Sequence, residues 1–158
     1  EDTLLSAAER YGWQVINDEN RKLLFMDMVR QMDMSYSYKP VLLKAILANA
    51  DSKGRIKLDD ITAYFRGFYE DRRERGLAVE KPKSIFARGD YTDKEAQRNI
   101  LANPFKRFED MQMLRHTKTL GIVEVEPTVW KALTNDDKAE IADICDRKLS
   151  EYYSRFSR

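Results

Sequence analysis

A mainly α-helical domain closed by one β-hairpin is the fold that this sequence predicts, and two observations carry the prediction. The stretch Asn103 to Glu126, NPFKRFEDMQMLRHTKTLGIVEVE, reads as a short helix followed at once by two strands and a tight turn. Elsewhere apolar residues recur at three- and four-residue spacing, and no other segment alternates apolar and polar residues over a comparable length.

The elements follow in order. Asp2 can cap a helix from Thr3 to Tyr11 that Gly12 stops. Glu19 to Met32 forms a second helix with Leu24, Met28 and Met32 on one stripe. Met26, Met28, Met32 and Met34 make this region methionine-rich. Core filling is the commoner use of such residues, and a plastic binding surface is the other. A third helix runs from about Tyr38 through Leu42, Leu43, Ile46 and Leu47 to Asn49. After a turn at Gly54, Arg55-Ile56-Lys57 can form a short strand. Asp59 or Asp60 then caps a long helix with the aromatic stripe Ile61, Tyr64, Phe65, Phe68 and Tyr69.

Residues 77–91 read as loop. Thr92 with Glu95 is a capping box for a helix reaching Asn103. Asn103 and Pro104 suit the cap and first position of the next helix, where Phe105, Phe108 and Met111 share a face. Leu114 and then Ile122, Val123 and Val125 lie on strands joined by Lys118-Thr119-Leu120-Gly121. Pro127 to Leu133 is a connector, and Thr134 with Asp137 opens a last helix carrying Ile141, Ile144, Leu149 and Tyr152.

A helix leading directly into a hairpin, with helices upstream, is the element order of a winged helix. The expected organisation is an N-terminal helical extension over 1–37, a winged-helix-like core over 38–133, and a C-terminal helix over 134–158 packed on that core. Phe65, Phe68, Ile100, Phe108 and Ile122 are the expected core.

Composition bounds the function. The chain has 158 residues, 42% of them hydrophobic, with two Trp, eight Tyr and seven Phe, enough for a packed core. A net charge of +1 excludes a chain-wide polyelectrolyte. The charge is uneven: residues 81–120 hold nine Lys/Arg against five Asp/Glu, whereas residues 121–158 hold six against eight. A basic middle suits an anionic partner, although a solvated face explains it as well. Cys145 is the only cysteine and falls in a helical apolar pattern, so it reads as a core residue in a cytoplasmic protein. No apolar run approaches the length of a membrane span. The chain begins with Glu1, so a piece of a longer polypeptide is expected.

Several catalytic and metal constellations fail on chemistry. Asn49 to Asp60 lies between helices and places Gly54 and Ile56 as a twelve-residue calcium loop would. Such a loop needs an oxygen ligand where Lys53 stands, and Lys53, Arg55 and Lys57 surround the would-be ion with positive charge. His116 is the only histidine, so no histidine cluster can hold a metal. No phosphate-binding glycine loop is present. Glu124 and Glu126 could imitate nuclease carboxylates but lack a partner acid or lysine at a useful spacing. Arg88-Gly89-Asp90 is a tripeptide that chance supplies often. No catalytic residue, metal or cofactor is expected.

The best functional candidate is the basic set around the hairpin: Arg98, Lys106, Arg107, Arg115, His116 and Lys118. Long cationic side chains on a helix and a protruding hairpin can follow a phosphate backbone. Glu109 and Asp110 oppose this by pairing with Lys106 and Arg107 along the helix.

Met32 to Leu47 (MDMSYSYKPVLLKAIL), Asn103 to His116 (NPFKRFEDMQMLRH) and the intervening GRIKLDDITAYFRGFYEDRRERGLAVEKPKSIF carry a resemblance. Together they resemble the winged-helix-like region of some bacterial DEAD/DEAH-box (superfamily 2) helicase proteins of restriction or phage-defence type, over residues 20–153. The resemblance implies an accessory domain, with ATP hydrolysis in other parts of the parent protein. No motor motif is in this chain. Two functions follow as expectations. One is a non-catalytic DNA-binding module; the other is a protein-interaction or dimerisation domain that docks through its methionine and aromatic surfaces.

Overall fold

The computed structural model describes residues 20–156. The helix expected from Thr3 to Tyr11 lies outside them. Helix α1 spans Arg21–Arg30 and buries Leu24, Phe25, Met26 and Val29. Helix α2 spans Tyr38–Asn49 and is apolar almost all round, with Tyr38, Pro40, Val41, Leu42, Leu43, Ala45 and Ile46 buried. Such a helix belongs at the centre of a fold. It packs on both α3 (Leu58–Glu74) and the last helix, α8 (Asn135–Phe156). Pro40 is tolerated there because it sits in the first turn, where a backbone N–H has no helical partner.

Strand β1 is Arg55–Lys57, and α3 follows it without a loop. Lys57 holds the cap position, so Asp59 and Asp60, expected as caps, instead occupy the first turn. Their charges there complement the positive end of the helix dipole. On α3, Ile61, Phe65 and Tyr69 are buried, while Phe68 is only half-buried at the edge of the aromatic stripe.

Residues 77–91 are not all loop. Ser84 accepts a hydrogen bond from the Phe86 N–H and starts the one-turn helix α4, Ile85–Arg88. Phe86 is fully buried, in ring contact with Tyr38, Phe65, Tyr69 and Tyr91. The excursion between α3 and the next long helix is thus pinned to the core by one aromatic anchor that periodicity cannot detect.

The same excursion delivers Glu80 to a buried site. Its carboxylate accepts hydrogen bonds from the Ser37 N–H at 2.8 Å, the Ser37 hydroxyl, the Tyr152 hydroxyl and the Lys81 N–H at 2.8 Å. Tyr69 and Tyr153 join through Ser37 Oγ. Burial drives the Tyr69 hydroxyl well above the ordinary tyrosine range and the Tyr153 hydroxyl up to about 12, so both stay neutral. The network ties α8 and α3 to residues 35–37.

Thr92 and Glu95 make the expected capping box at the start of α5, Asp93–Ala102. Helix α6 is Pro104–Asp110, with Pro104 in its first position and Phe105 and Phe108 buried. Strands β2 (Leu114–Thr117) and β3 (Ile122–Val125) form the expected hairpin around a 3-10 turn at Lys118–Leu120. Gly121 follows the turn at φ 63°, a left-handed conformation that glycine adopts without steric strain. Val123 and Val125 face inward, but Ile122 points to the other face and is only half-buried.

Strand β1 adds to β3, giving a three-stranded antiparallel sheet in the order β1-β3-β2. Helix, strand, helix, helices and hairpin with this sheet order make a mainly helical, winged-helix-like domain. Pro127–Ala132, expected as a connector, is helix α7, capped by the Glu126 carboxylate on the Val129 N–H. Among the described residues, no helix is long and apolar enough to cross a membrane.

Helix α8 begins at the reciprocal box in which Thr134 Oγ1 accepts from the Asp137 N–H and Asp137 accepts from the Thr134 N–H. Lys22 Nζ lies 2.7 Å from the same carboxylate and joins α1 to α8. The bond from Lys22, with those from Thr134, lowers the Asp137 carboxyl to about 2. A depressed carboxyl stabilises the fold above its unfolded value and loses that contribution as pH falls through the folded one. The stability difference between Asp137→Asn and wild type is therefore expected to be full at neutral pH. It should shrink as pH falls from about 4 toward about 2. Urea unfolding across that window measures it, and a difference independent of pH would contradict this role.

Candidate nucleic-acid interface

Alternation on the sheet decides which side chains face outward. Ile56, Val123 and His116 are opposite one another on the inner side, and Arg55, Glu124 and Arg115 are opposite one another on the outer side. The Glu124 carboxylate sits between the two guanidinium groups, 3.7 Å from Arg55 Nε and 3.1 Å from Arg115 Nη2. Glu124 is 17% exposed, whereas the arginines are 50% and 65% exposed. Lys57 and Thr117 flank Ile122 in the next row. Lys118 is exposed in the turn, and Lys53 is exposed just ahead of β1. Among the described residues, Lys53, Lys57 and Lys118 make no ion pair.

The resulting surface bears Lys53, Arg55, Lys57, Arg115 and Lys118, with the partly sequestered Glu124 carboxylate between the two arginines and Asp51 and Asp59 at its margins. The charges that defeat a calcium loop therefore belong to a cationic sheet face. Asp51 does not offset them freely. Its Oδ1 accepts the backbone N–H groups of Lys53 at 2.8 Å and Arg55 at 3.0 Å. Those bonds hold its carboxyl below the usual range. They also shape the turn that presents Lys53, so Asp51 acts as a turn residue and not as an ion ligand. Gly54 closes this turn at φ 80°, with Trp130 against its α-carbon and the indole N–H donating to Ser52 O at 3.1 Å.

The six basic residues expected from sequence are distributed over several surfaces. Arg115 and Lys118 lie on the sheet and turn just described. His116 is half-buried on the inner side, its ring edge-on to Phe105 at 6.2 Å, and not a free surface contact. Arg98 is exposed on α5. Lys106 is engaged on its own helix by Asp110 at 2.8 Å and Glu109 at 4.0 Å, as the spacing implied. Arg107 makes no ion pair among the described residues and lines a separate cavity against α1.

A groove of about 380 Å³ runs beside the turn, between α5 and the β1 edge. Gln97, Leu101, Lys57, His116, Leu120 and Ile122 line it, and Asp59 accepts a hydrogen bond from Gln97. Leu120 is 70% exposed. Cys145 is fully buried, and burial pushes its thiol up to about 12, which removes it as a nucleophile. Among the described residues no group of His, Cys, Asp and Glu is placed to hold a metal ion.

Sequence reasoning missed Lys53, Arg55 and Lys57 as members of this face. The signal was the exposed–buried–exposed alternation of Arg55-Ile56-Lys57, but its partner strand is far along the chain. The sequence matches no protein-family model, no curated protein and no solved structure.

Proposed function

We propose that this domain is a non-catalytic winged-helix DNA-binding module that presents the outer face of its sheet and its wing to the phosphate backbone. The observation that carries this reading is the exposure of Lys53, Arg55, Lys57, Arg115 and Lys118 on the sheet and its turns, where Glu124 pairs with the two arginines and the three lysines make no ion pair among the described residues. Exposed cations without a fixed partner release counterions when they meet phosphate, and such contacts supply most non-specific affinity. In keeping with the resemblance of Met32–Leu47 and Asn103–His116, the module serves as an accessory part of a helicase or restriction-type defence protein.

Lys57 and Lys118 give the cleanest test, because neither pairs with a carboxylate. Replacing both by Gln is expected to leave stability unchanged and to reduce the salt slope of duplex binding by about two. Glu124→Gln should have the opposite effect on affinity, since it frees both arginines for phosphate. Fluorescence anisotropy with a labelled duplex and a labelled single strand, across a salt series, measures these changes. No binding at low salt would reject the reading.

Leu120, Leu101 and Ile122 support a second reading, a protein-interaction domain. An exposed leucine at the tip of a wing beside an apolar groove suits an apolar partner surface. Docking of that kind is insensitive to salt and lost in Leu120→Asp.

A further inference from the structure

The groove beside the wing sits where the cationic sheet face ends. Leu58 at the start of α3, Leu101 of α5, and Leu120 and Ile122 of the hairpin give it mainly apolar walls. The Leu58 N–H donates to Gly121 O at 2.9 Å and ties the start of α3 to the wing, so the two walls keep their spacing. Leu120 stands 70% exposed on the 3-10 turn between β2 and β3.

The charges sort what the groove can hold. Lys57 stands directly across from Ile122 in the strand register, and Lys118 begins the turn that carries Leu120. Both lysines are exposed, and neither makes an ion pair among the described residues. Asp59 is the one acid among the described residues that line the groove, and it accepts a hydrogen bond from the Gln97 amide at 2.9 Å. That carboxylate repels an anion inside the groove, whereas the lysines attract one at its edge. The matching occupant has an uncharged apolar face with a chain of negative charge beside it. A nucleobase on its phosphate backbone has that arrangement, and its edge can exchange hydrogen bonds with Gln97 and Asp59. Inside a duplex the base faces are stacked and the pairing edge is used, so only an unpaired base can enter. Leucine and isoleucine are among the side chains that proteins place against base faces where a stack is opened.

We propose that the wing groove takes one unpaired base, so that the domain favours a duplex with opened ends over a blunt one. The inference rests on the DNA-binding reading above and adds a base contact to its phosphate contacts. Three labelled DNAs test it by fluorescence anisotropy: a blunt duplex, the same duplex ending in unpaired thymidines on both strands, and that fork with abasic sites in place of the thymidines. The two forks carry equal phosphate charge and differ only in their bases. Wild type should bind the thymidine fork about fivefold tighter than the abasic fork, the low end of what one base gains on a protein platform, because these walls are aliphatic and not aromatic. Leu120→Ser should abolish that difference and leave the affinity and salt slope for the blunt duplex as in wild type. Ring currents from the base should shift the methyl resonances of Leu101, Leu120 and Ile122 further with the thymidine fork than with the abasic one. Equal affinity for the two forks, or a preference that survives Leu120→Ser, would overturn the proposal while salt-dependent binding of the blunt duplex leaves the DNA reading standing. Absence of binding to all three DNAs at low salt would overturn both. A dimer in sedimentation that Leu120→Ser dissociates would assign the groove to a second copy of the chain and overturn the base contact.

Discussion

Phe108→Ala is expected to destabilise the domain by about 3–5 kcal/mol, the range for removing a large aromatic ring from a closed core. Phe108 is 1% exposed on a helix of only seven residues, and its ring meets Phe25 of α1 at 6.4 Å. Helix α6 is too short to persist on intrinsic propensity. It is held by Pro104 at its start and by Phe105 and Phe108 beneath it. The Met113 N–H also donates to Phe108 O at 2.9 Å, where the chain turns into β2. Truncating this ring therefore loosens the entry to the hairpin as well as opening a void. Denaturant unfolding gives the magnitude. A variant as stable as wild type would mean that Phe108 does not occupy the enclosed position.

Glu80→Ala should have a comparable effect by a different route. The carboxylate is 5% exposed and has no cation paired with it among the described residues. Removing it leaves the Ser37 N–H and the Tyr152 hydroxyl without their acceptor, whereas the Ser37 hydroxyl can turn to the Tyr69 oxygen. Each stranded donor costs about 1–3 kcal/mol, so a total of at least about 2 kcal/mol is expected. Glu80→Gln retains one acceptor oxygen and should lose markedly less. Thermal unfolding of the two variants separates the loss of hydrogen bonds from the loss of packing. Equal stability of Glu80→Ala and wild type would show that Ser37 and Tyr152 find other partners.

Features set by local chemistry were legible in the sequence. The Thr92–Glu95 box, Pro104 at its helix start, the 114–125 hairpin and the Thr134–Asp137 box each depend on residues within a few positions of one another. The inward faces of α3 and α5 were legible for the same reason, because helical spacing places Phe65 and Ile100 without knowledge of a neighbour. Phe68 and Ile122 were not, since each sits at the margin of its stripe, where only the packing of another element decides burial. The helical turns at Ile85 and Pro127 are shorter than any period can reveal.

The candidate face shows the same division. Arg115 and Lys118 were found because they lie on the hairpin itself. Arg55 and Lys57 join them only through β1–β3 pairing; the alternation around Ile56 marks a strand, but not which of its neighbours share a face with the hairpin. Glu126 imitates a nuclease carboxylate in the sequence, but its carboxylate caps α7, a role that depends on Pro127 starting a helix too short for any period to reveal.

The position of β1 at the edge of the sheet has a kinetic consequence. Strands β2 and β3 are joined by a turn of a few residues, and such a hairpin closes in microseconds. The pairing of Lys57 with Ile122 must instead wait until α3, α4, α5 and α6 have been gathered between them. Loop closure of that length makes the β1–β3 contact a late event. Substitutions at Ile56 should then speed unfolding with little effect on the folding rate, whereas substitutions within the hairpin should slow folding. A nascent or partly opened chain would carry Arg115 and Lys118 on a finished hairpin but lack Arg55 and Lys57 beside them.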